Sequence, residues 1–227
     1  MKKLLFATLI AAASAGCQKN TSLSSEAPSV AASPAVTASP ATPTSKKYDG
    51  PFGLDGAMPI ADLEHSGFKS VEGKPGIYVG SPPRPLQDAD AYMVLAAPKM
   101  GVCRIVAHVT VPVVNGTGDQ VKAAVDRMAD TMQAKYGKYS EKVDYIKQDV
   151  YRRNPEFWMM GLKEDSVLYA YEWSAKKVEK PLLGNLENIE VSAGTGKIDS
   201  AYVAIIYTYT NFDECQAELR ALKAGNL

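Results

Sequence analysis

Cysteine and histidine are scarce in this chain. Three of its 227 residues are cysteine and two are histidine. His65 and His108 lie far apart, and neither has a second histidine or a cysteine three or four residues away, so they lack the spacing of a zinc site. Cys103 and Cys215 lack the Cys-x-x-Cys spacing of a redox enzyme. The sequence therefore predicts no metal site and no other cofactor.

Familiar catalytic motifs are missing as well. The Gly-x-Ser-x-Gly elbow of serine hydrolases does not occur. Residues 194–197 partly match a phosphate-binding loop, but Val191 stands in place of its first glycine and Ile198 in place of its final serine or threonine. Carboxylates are plentiful, and a solvated surface is where most carboxylates lie. We therefore expect a protein without catalytic activity, and the alternative is a hydrolase with an unrecognised carboxylate pair.

The chain has no net charge, with 25 basic and 25 acidic residues. Five of the basic residues and one acidic residue precede Tyr48, which leaves 20 basic and 24 acidic residues from there on. A mildly acidic domain is not expected to bind nucleic acid.

A long apolar run is also missing, because the stretch 4–13 is shorter than the roughly 20 residues that span a bilayer.

The N-terminus has the three parts of a bacterial secretory signal. A basic start is followed by the apolar run at 4–13 and by small residues before Cys17. The sequence Ser-Ala-Gly-Cys at 14–17 resembles the lipobox of bacterial lipoproteins, although Ser14 stands where that family usually has an aliphatic residue. The alternatives are a membrane-spanning helix, which the short run disfavours, and an ordinary signal peptide with an incidental cysteine.

This resemblance implies a processed and lipidated protein. Residues 1–16 would be removed as a signal peptide, and Cys17 would carry the lipid that holds the chain at the membrane. Gln18, rather than Asp, follows the cysteine. By resemblance to enterobacterial lipoproteins, this implies an outer-membrane protein whose domain faces the periplasm.

The composition changes at about Tyr48. Residues 17–47 consist mainly of Ser, Ala, Thr and Pro, and such a segment cannot bury enough apolar surface to offset its ordering entropy. It is predicted to be a disordered tether. Aromatic and β-branched residues continue from Tyr48 to the end, so residues 48–227 are predicted to form one globular domain.

Apolar periodicity predicts the secondary structure of that domain. Residues 118–136 have the spacing of a helix, and Thr117 has the spacing of a capping box with Gln120. A second main helix begins near Asn211. Alternation predicts a hairpin from strands at 92–97 and 102–113, and further strands, at 167–173, 186–193 and 201–209. The expected fold is an α+β domain with an antiparallel sheet and two main helices.

The two cysteines of the domain are expected to pair. In the second hairpin strand, Cys103 is predicted to share its apolar face with Ile105 and the alternate residues after it, and Cys215 lies on the apolar face of the last helix. An exported protein with an even pair of cysteines favours a disulfide. The alternative is two buried free thiols.

Several short segments resemble small periplasmic lipoproteins of unassigned function. They are the helix end at 135–138, the strand that carries Trp173, the hairpin end at 207–209, and the segments 101–107 and 211–215. The resemblance implies a small envelope domain, and it implies no catalytic residue.

The most unusual local composition lies at 151–160. Arg152, Arg153 and Trp158 are of the residue types enriched at protein–protein hot spots, and we predict that they bind a partner. The alternative is that the aromatic side chains of this segment pack the core while the arginines cover the surface.

Taken together, these observations favour a membrane-anchored interaction module that binds another envelope protein or an incoming protein. Two alternatives remain open. One is the envelope hydrolase. The other is a small-ligand carrier with an aromatic pocket built from Tyr169, Tyr171, Trp173 and Tyr207.

Overall fold

The computed structural model describes residues 48–196 and 200–225. The predicted signal peptide at 1–16, the predicted lipid site Cys17 and the predicted tether lie outside the described residues. The described part contains an eight-stranded antiparallel sheet and five α-helices. The predicted α+β fold with an antiparallel sheet and two main helices is confirmed.

The sheet joins two runs of antiparallel strands at its centre. Its spatial order is β1-β2-β3-β4-β8-β7-β6-β5, so the last strand of the chain pairs with the fourth. The strands are β1 Lys69–Ser70, β2 Ile77–Gly80, β3 Ala91–Ala97, β4 Gly101–Pro112, β5 Glu141–Ile146, β6 Val167–Ser174, β7 Leu186–Thr195 and β8 Ser200–Tyr209.

Two helices are long and three are short. The helices are α1 Ile60–His65, α2 Asp119–Tyr136, α3 Asp149–Arg153, α4 Trp158–Lys163 and α5 Phe212–Ala224. Helix α2 packs on β4, β6, β7 and β8, and α4 packs on β6 and β7. Helix α5 contacts β3 and β4.

Helix α2 supplies one wall of the main core. Its buried residues recur every three or four positions, as the apolar pattern predicts. Burial of each large apolar side chain among them stabilises the fold by about 1.5–3 kcal/mol. The buried residues are Val121, Val125, Ala129, Met132 and Tyr136. The helix ends at Gly137, whose φ of +82° is a conformation that other residues rarely adopt.

The predicted capping box at the start of α2 is wrong. The N-cap is Gly118, and no side chain caps the helix there. The hydroxyl of Thr117 lies instead at hydrogen-bond distance from Asn115 and Asp119 side chains. Gly118 has a φ of +69°, so the chain turns into the helix through a left-handed residue and Thr117 is displaced from the capping position.

A β-bulge decides which face of the sheet Cys103 occupies. Arg104 pairs with Leu95 on β3, whereas Val102 pairs with Ala96, so Cys103 is the extra residue. Ile105 therefore belongs to the main core, while Cys103 packs on the opposite face. The prediction that Cys103 shares a face with Ile105 is wrong, because the bulge interrupts the alternation between them.

The structure brings the two domain cysteines together beneath α5. The Sγ atoms of Cys103 and Cys215 are 2.01 Å apart and their Cα atoms are 6.4 Å apart. Both side chains are fully buried, in a small second cluster that includes Phe212 and Leu219 of α5. The predicted disulfide pairing is confirmed, and it fastens α5 to the face of the sheet that the main core does not use.

Candidate functional site

Trp158 is a core residue. Only 2% of its surface is exposed, and its ring packs edge-on against Tyr169 with centroids 6.3 Å apart. Gly118 makes room for the indole, since a Cβ at that position would lie 2.2 Å from the Trp158 ring. The predicted role of Trp158 as an exposed binding anchor is therefore wrong, and the core alternative describes it correctly.

Arg152 and Arg153 lie on the surface, and each is paired with a carboxylate. Both form ion pairs with Asp149 one turn earlier in α3. Arg152 also donates a hydrogen bond to the carbonyl of Ile146, at 2.7 Å. Exposed ion pairs of this kind contribute at most about 1 kcal/mol, so a partner's carboxylate would compete readily with Asp149.

Exposed apolar side chains lie on the same helix as the two arginines and on the neighbouring segment at 157–160. Val150 is 49% exposed, Phe157 43% and Met160 52%. Phe157 and Met160 are three residues apart and point outward, while Trp158 and Leu162 point into the core from the same helical turn. We call Val150, Arg152, Arg153, Phe157 and Met160 the α3–α4 patch.

The distribution of exposed apolar residues makes this patch unusual. Nine large apolar side chains are exposed in the described part of the chain, and three of them, Val150, Phe157 and Met160, lie in this patch. Clustered apolar exposure beside arginines is typical of protein-binding surfaces.

The second notable surface is the side of the sheet opposite the main core. Among the described elements, helices α2 and α4 pack on the core side, and α5 packs on the other side at β3 and β4. We call the remainder of that side the open face. Its side chains are Val106, His108 and Thr110 of β4, Tyr202, Ala204 and Ile206 of β8, Glu190, Ser192 and Gly194 of β7, Leu168, Ala170 and Glu172 of β6, and Glu141, Val143 and Tyr145 of β5.

Three glutamates form a row across one half of the open face. Glu141 pairs with Glu172, and Glu172 pairs with Glu190, on three adjacent strands. Burial raises the pKa of the Glu172 carboxyl, and the charges of Glu190 and Glu141 raise it further. An acid with a raised folded-state pKa stabilises the fold only at low pH, and that contribution is lost as the pH rises through the raised value. The raised pKa of Glu172 therefore opposes folding at neutral pH.

A half-buried cation, Arg104, lies on the same side of the sheet, against α5. Its guanidinium is 3.8 Å from the centroid of the Phe212 ring, and its Nε donates a hydrogen bond to Thr208 at 3.1 Å. Burial lowers the pKa of this guanidinium, although Glu190 attracts the charge. Within the described residues, no carboxylate lies within ion-pair distance of Arg104.

The four aromatic residues predicted for a ligand pocket fill the core instead. Tyr169, Tyr171, Trp173 and Tyr207 are each at most 7% exposed. The hydroxyls of Tyr169 and Tyr171 both donate to Asp126 of α2 at 2.7 Å. Burial acts to raise the pKa of Asp126, but these two hydrogen bonds and nearby Lys142 outweigh it and lower that pKa. The predicted aromatic pocket is therefore wrong. Tyr169 and Tyr171 instead connect the sheet to α2 through their hydrogen bonds to Asp126.

The two histidines lie in separate places. His108 stacks on Tyr202 across the open face, with ring centroids 4.2 Å apart, and burial lowers the pKa of its imidazole. His65 is exposed at the end of α1, 2.6 Å from the carbonyl of Ala61. In the part of the chain that the structure describes, no three His, Cys, Asp or Glu side chains converge to hold a metal ion.

A cavity of about 250 Å³ lies at the C-terminal end of α2. Its polar lining includes Asp55, Lys135 and Asn185, and its apolar lining includes Leu183 and Tyr209. The cavity is on the core side, away from the open face. Two carboxylates, Asp49 and Asp55, and one cation, Lys135, line it, and this mixture favours no single ligand chemistry.

No helix among residues 48–196 and 200–225 is long and apolar enough to cross a bilayer. No protein-family model, no curated protein and no solved structure matches this chain.

Proposed function

We propose that this protein is a lipid-anchored interaction module of the bacterial outer membrane, without catalytic activity of its own, whose domain faces the periplasm and binds another envelope protein or an incoming protein. Two features support the proposal. The signal and lipobox pattern ending at Cys17 supplies the anchor, and the α3–α4 patch supplies the binding surface. The patch is the observation that carries the proposal, because it combines three of the nine exposed large apolar side chains of the described residues with two arginines.

The chemistry of the patch favours a partner with apolar side chains and a carboxylate. Phe157 and Met160 offer apolar area that is already exposed, so binding would remove it from water at about 25 cal/mol per Å². Arg152 and Arg153 lie on the neighbouring helix α3, and both already bind a carboxylate in their ion pairs with Asp149. A partner's acidic residue would take the place of Asp149.

The anchor is tested at Cys17. We expect Cys17→Ser to abolish labelling with a clickable fatty acid and to leave the signal segment uncleaved, because the lipid and the cleavage both require that thiol. Labelling is read by in-gel fluorescence and cleavage by intact mass. A Cys17→Ser protein that remains labelled and membrane-bound would rule out the lipid anchor.

The binding surface is tested with a photo-crosslinking amino acid placed at Phe157 or Met160 in intact cells. We expect the two positions to capture the same protein. Val114 is the matched control, because it is 74% exposed but lies outside the α3–α4 patch. Phe157→Ala is expected to weaken capture by about 2 kcal/mol, a typical hot-spot value, without changing the melting temperature.

Either of two results would count against this surface. One is capture from Val114 of the same proteins as from Phe157. The other is Phe157→Ala binding the captured protein as tightly as the unaltered chain.

A further inference from the structure

We propose that the Cys103–Cys215 disulfide is a redox latch for helix α5. In the oxidised chain, α5 is docked on β3 and β4. After reduction, α5 leaves the sheet as a unit, while the sheet and the main core stay folded. The proposal depends on neither the lipid anchor nor the α3–α4 patch.

Helix α5 buries very little of its own surface. Its one buried side chain is Cys215, which is half of the disulfide. Phe212 and Leu219 are only partly buried, and all residues from 220 to 225 are exposed. A helix of 13 residues is marginal in water unless packing stabilises it. The docking of α5 therefore depends on the disulfide more than on burial.

The cluster beneath α5 is separate from the main core. Its buried residues are Ala97, Cys103 and Cys215, and Leu95 and Met100 of the sheet pack against them. The main core includes no residue of α5. The β-bulge places Cys103 on the side of α5, so the latch takes no side chain from the main core. Departure of α5 would uncover this small cluster and leave the main core closed.

The other contacts of α5 with the sheet are few. The carboxylate of Glu218 accepts hydrogen bonds from the backbone N–H groups of Lys99, at 3.0 Å, and Met100, at 3.3 Å. The guanidinium of Arg104 stacks on the Phe212 ring. Water replaces a hydrogen bond of this kind at a small net cost, because the freed groups become solvated. These contacts orient the helix, and the disulfide retains it.

The chain is fixed to the sheet up to the first residue of α5, which defines the hinge. The side-chain amide of Asn211 donates hydrogen bonds to the carbonyls of Met100, at 3.0 Å, and Val102, at 3.1 Å. The N–H of Thr210 donates to the carbonyl of Asn185 at 2.9 Å. Movement of α5 therefore begins after Asn211 and does not require β8 to leave the sheet.

Reduction requires a dithiol from outside the chain. One thiolate of the dithiol attacks an Sγ atom of the disulfide and releases the other cysteine, which takes up a proton. The second thiol of the dithiol then displaces the first cysteine from the mixed disulfide. The dithiol loses two electrons and becomes a disulfide, while Cys103 and Cys215 become two thiols. Both cysteines are fully buried, so the attack requires a local opening of α5.

The test is hydrogen exchange of the full chain in nonionic detergent, read by mass spectrometry with and without dithiothreitol. We expect reduction to accelerate exchange of the α5 amides more than tenfold and to change exchange in α2 and β8 less than twofold. The variant Cys103→Ala with Cys215→Ala should behave like the reduced chain without any reductant. It tests the latch even where dithiothreitol does not reach the buried disulfide.

Glu218→Ala is the matched control. It removes the hydrogen bonds to Lys99 and Met100 but keeps the disulfide, so α5 should stay protected in the oxidised chain. Protection of α5 in the double alanine variant equal to that in the oxidised chain overturns the proposal. Loss of protection in α2 and β8 together with α5 also overturns it, because the disulfide would then retain the whole fold rather than one helix.

Discussion

Replacing Cys103 and Cys215 together with alanine is expected to lower the free energy of unfolding by about 4–5 kcal/mol. The two cysteines are 112 residues apart, and in the chain-entropy model a cross-link that closes a loop of this size restricts the unfolded chain by about that amount. Urea unfolding followed by circular dichroism measures the change. Mass spectrometry of the unreduced protein should show one linked pair of peptides.

Reductant provides the control for this prediction. The difference between the double variant and the unaltered chain should nearly vanish when both are unfolded under reducing conditions, since neither then has a cross-link. Two thiols that react with an alkylating reagent in the native, unreduced protein would contradict the pairing.

Trp158→Ala is expected to destabilise the domain by about 3–5 kcal/mol, the usual range for removing a buried aromatic side chain. Phe157→Ala is the matched control. The Phe157 ring is next to Trp158 in the sequence but is 43% exposed, so its removal should cost far less stability. Urea unfolding of both variants measures the contrast. A Trp158→Ala protein as stable as Phe157→Ala would show that the indole is not part of the core.

Trp158→Phe separates packing from hydrogen bonding. The indole Nε1 is buried without a hydrogen-bond partner in the structure, and an unpaired buried donor costs about 1–3 kcal/mol. Phenylalanine removes that donor and keeps part of the ring. We therefore expect Trp158→Phe to cost less than half as much as Trp158→Ala.

The elements with strong periodicity could be predicted from the sequence. Helix α2 has an apolar residue at nearly every third or fourth position, and every second residue of β6 and of β8 belongs to the main core. These elements lie against the main core, so burial imposes the pattern. Helix α5 was predicted for the same reason, through the face that contains Cys215.

The edges of the sheet could not be predicted in this way. Strand β5 at Glu141–Ile146 buries no residue, and three of its six side chains are charged. Charge on an edge strand protects it from unwanted pairing, and the same charge removes the apolar signal by which a strand is recognised. Strands β1 and β2 form the opposite edge of the sheet, and both are too short to show a clear alternation.

Local departures from regular geometry account for the remaining errors. The bulge at Cys103 reverses the face of a single residue, and no apolar pattern encodes where a strand gains an extra residue. The segment at 151–160 was recognised as unusual from composition, but composition does not tell an outward Phe157 from an inward Trp158. Only the packing of α4 against Gly118 decides between them.

The position of β8 has a consequence for the order of folding. This strand is the last of the chain, yet it pairs with β4 on one side and β7 on the other at the centre of the sheet. Arg104 meets Thr208 across a separation of 104 residues, so the two halves of the sheet join only through a contact of very high sequence separation. Such contacts form slowly because a long loop must close first. A chain that emerges N-terminus first would therefore hold β4 and β7 as two unpaired edges until β8 has emerged and paired with both.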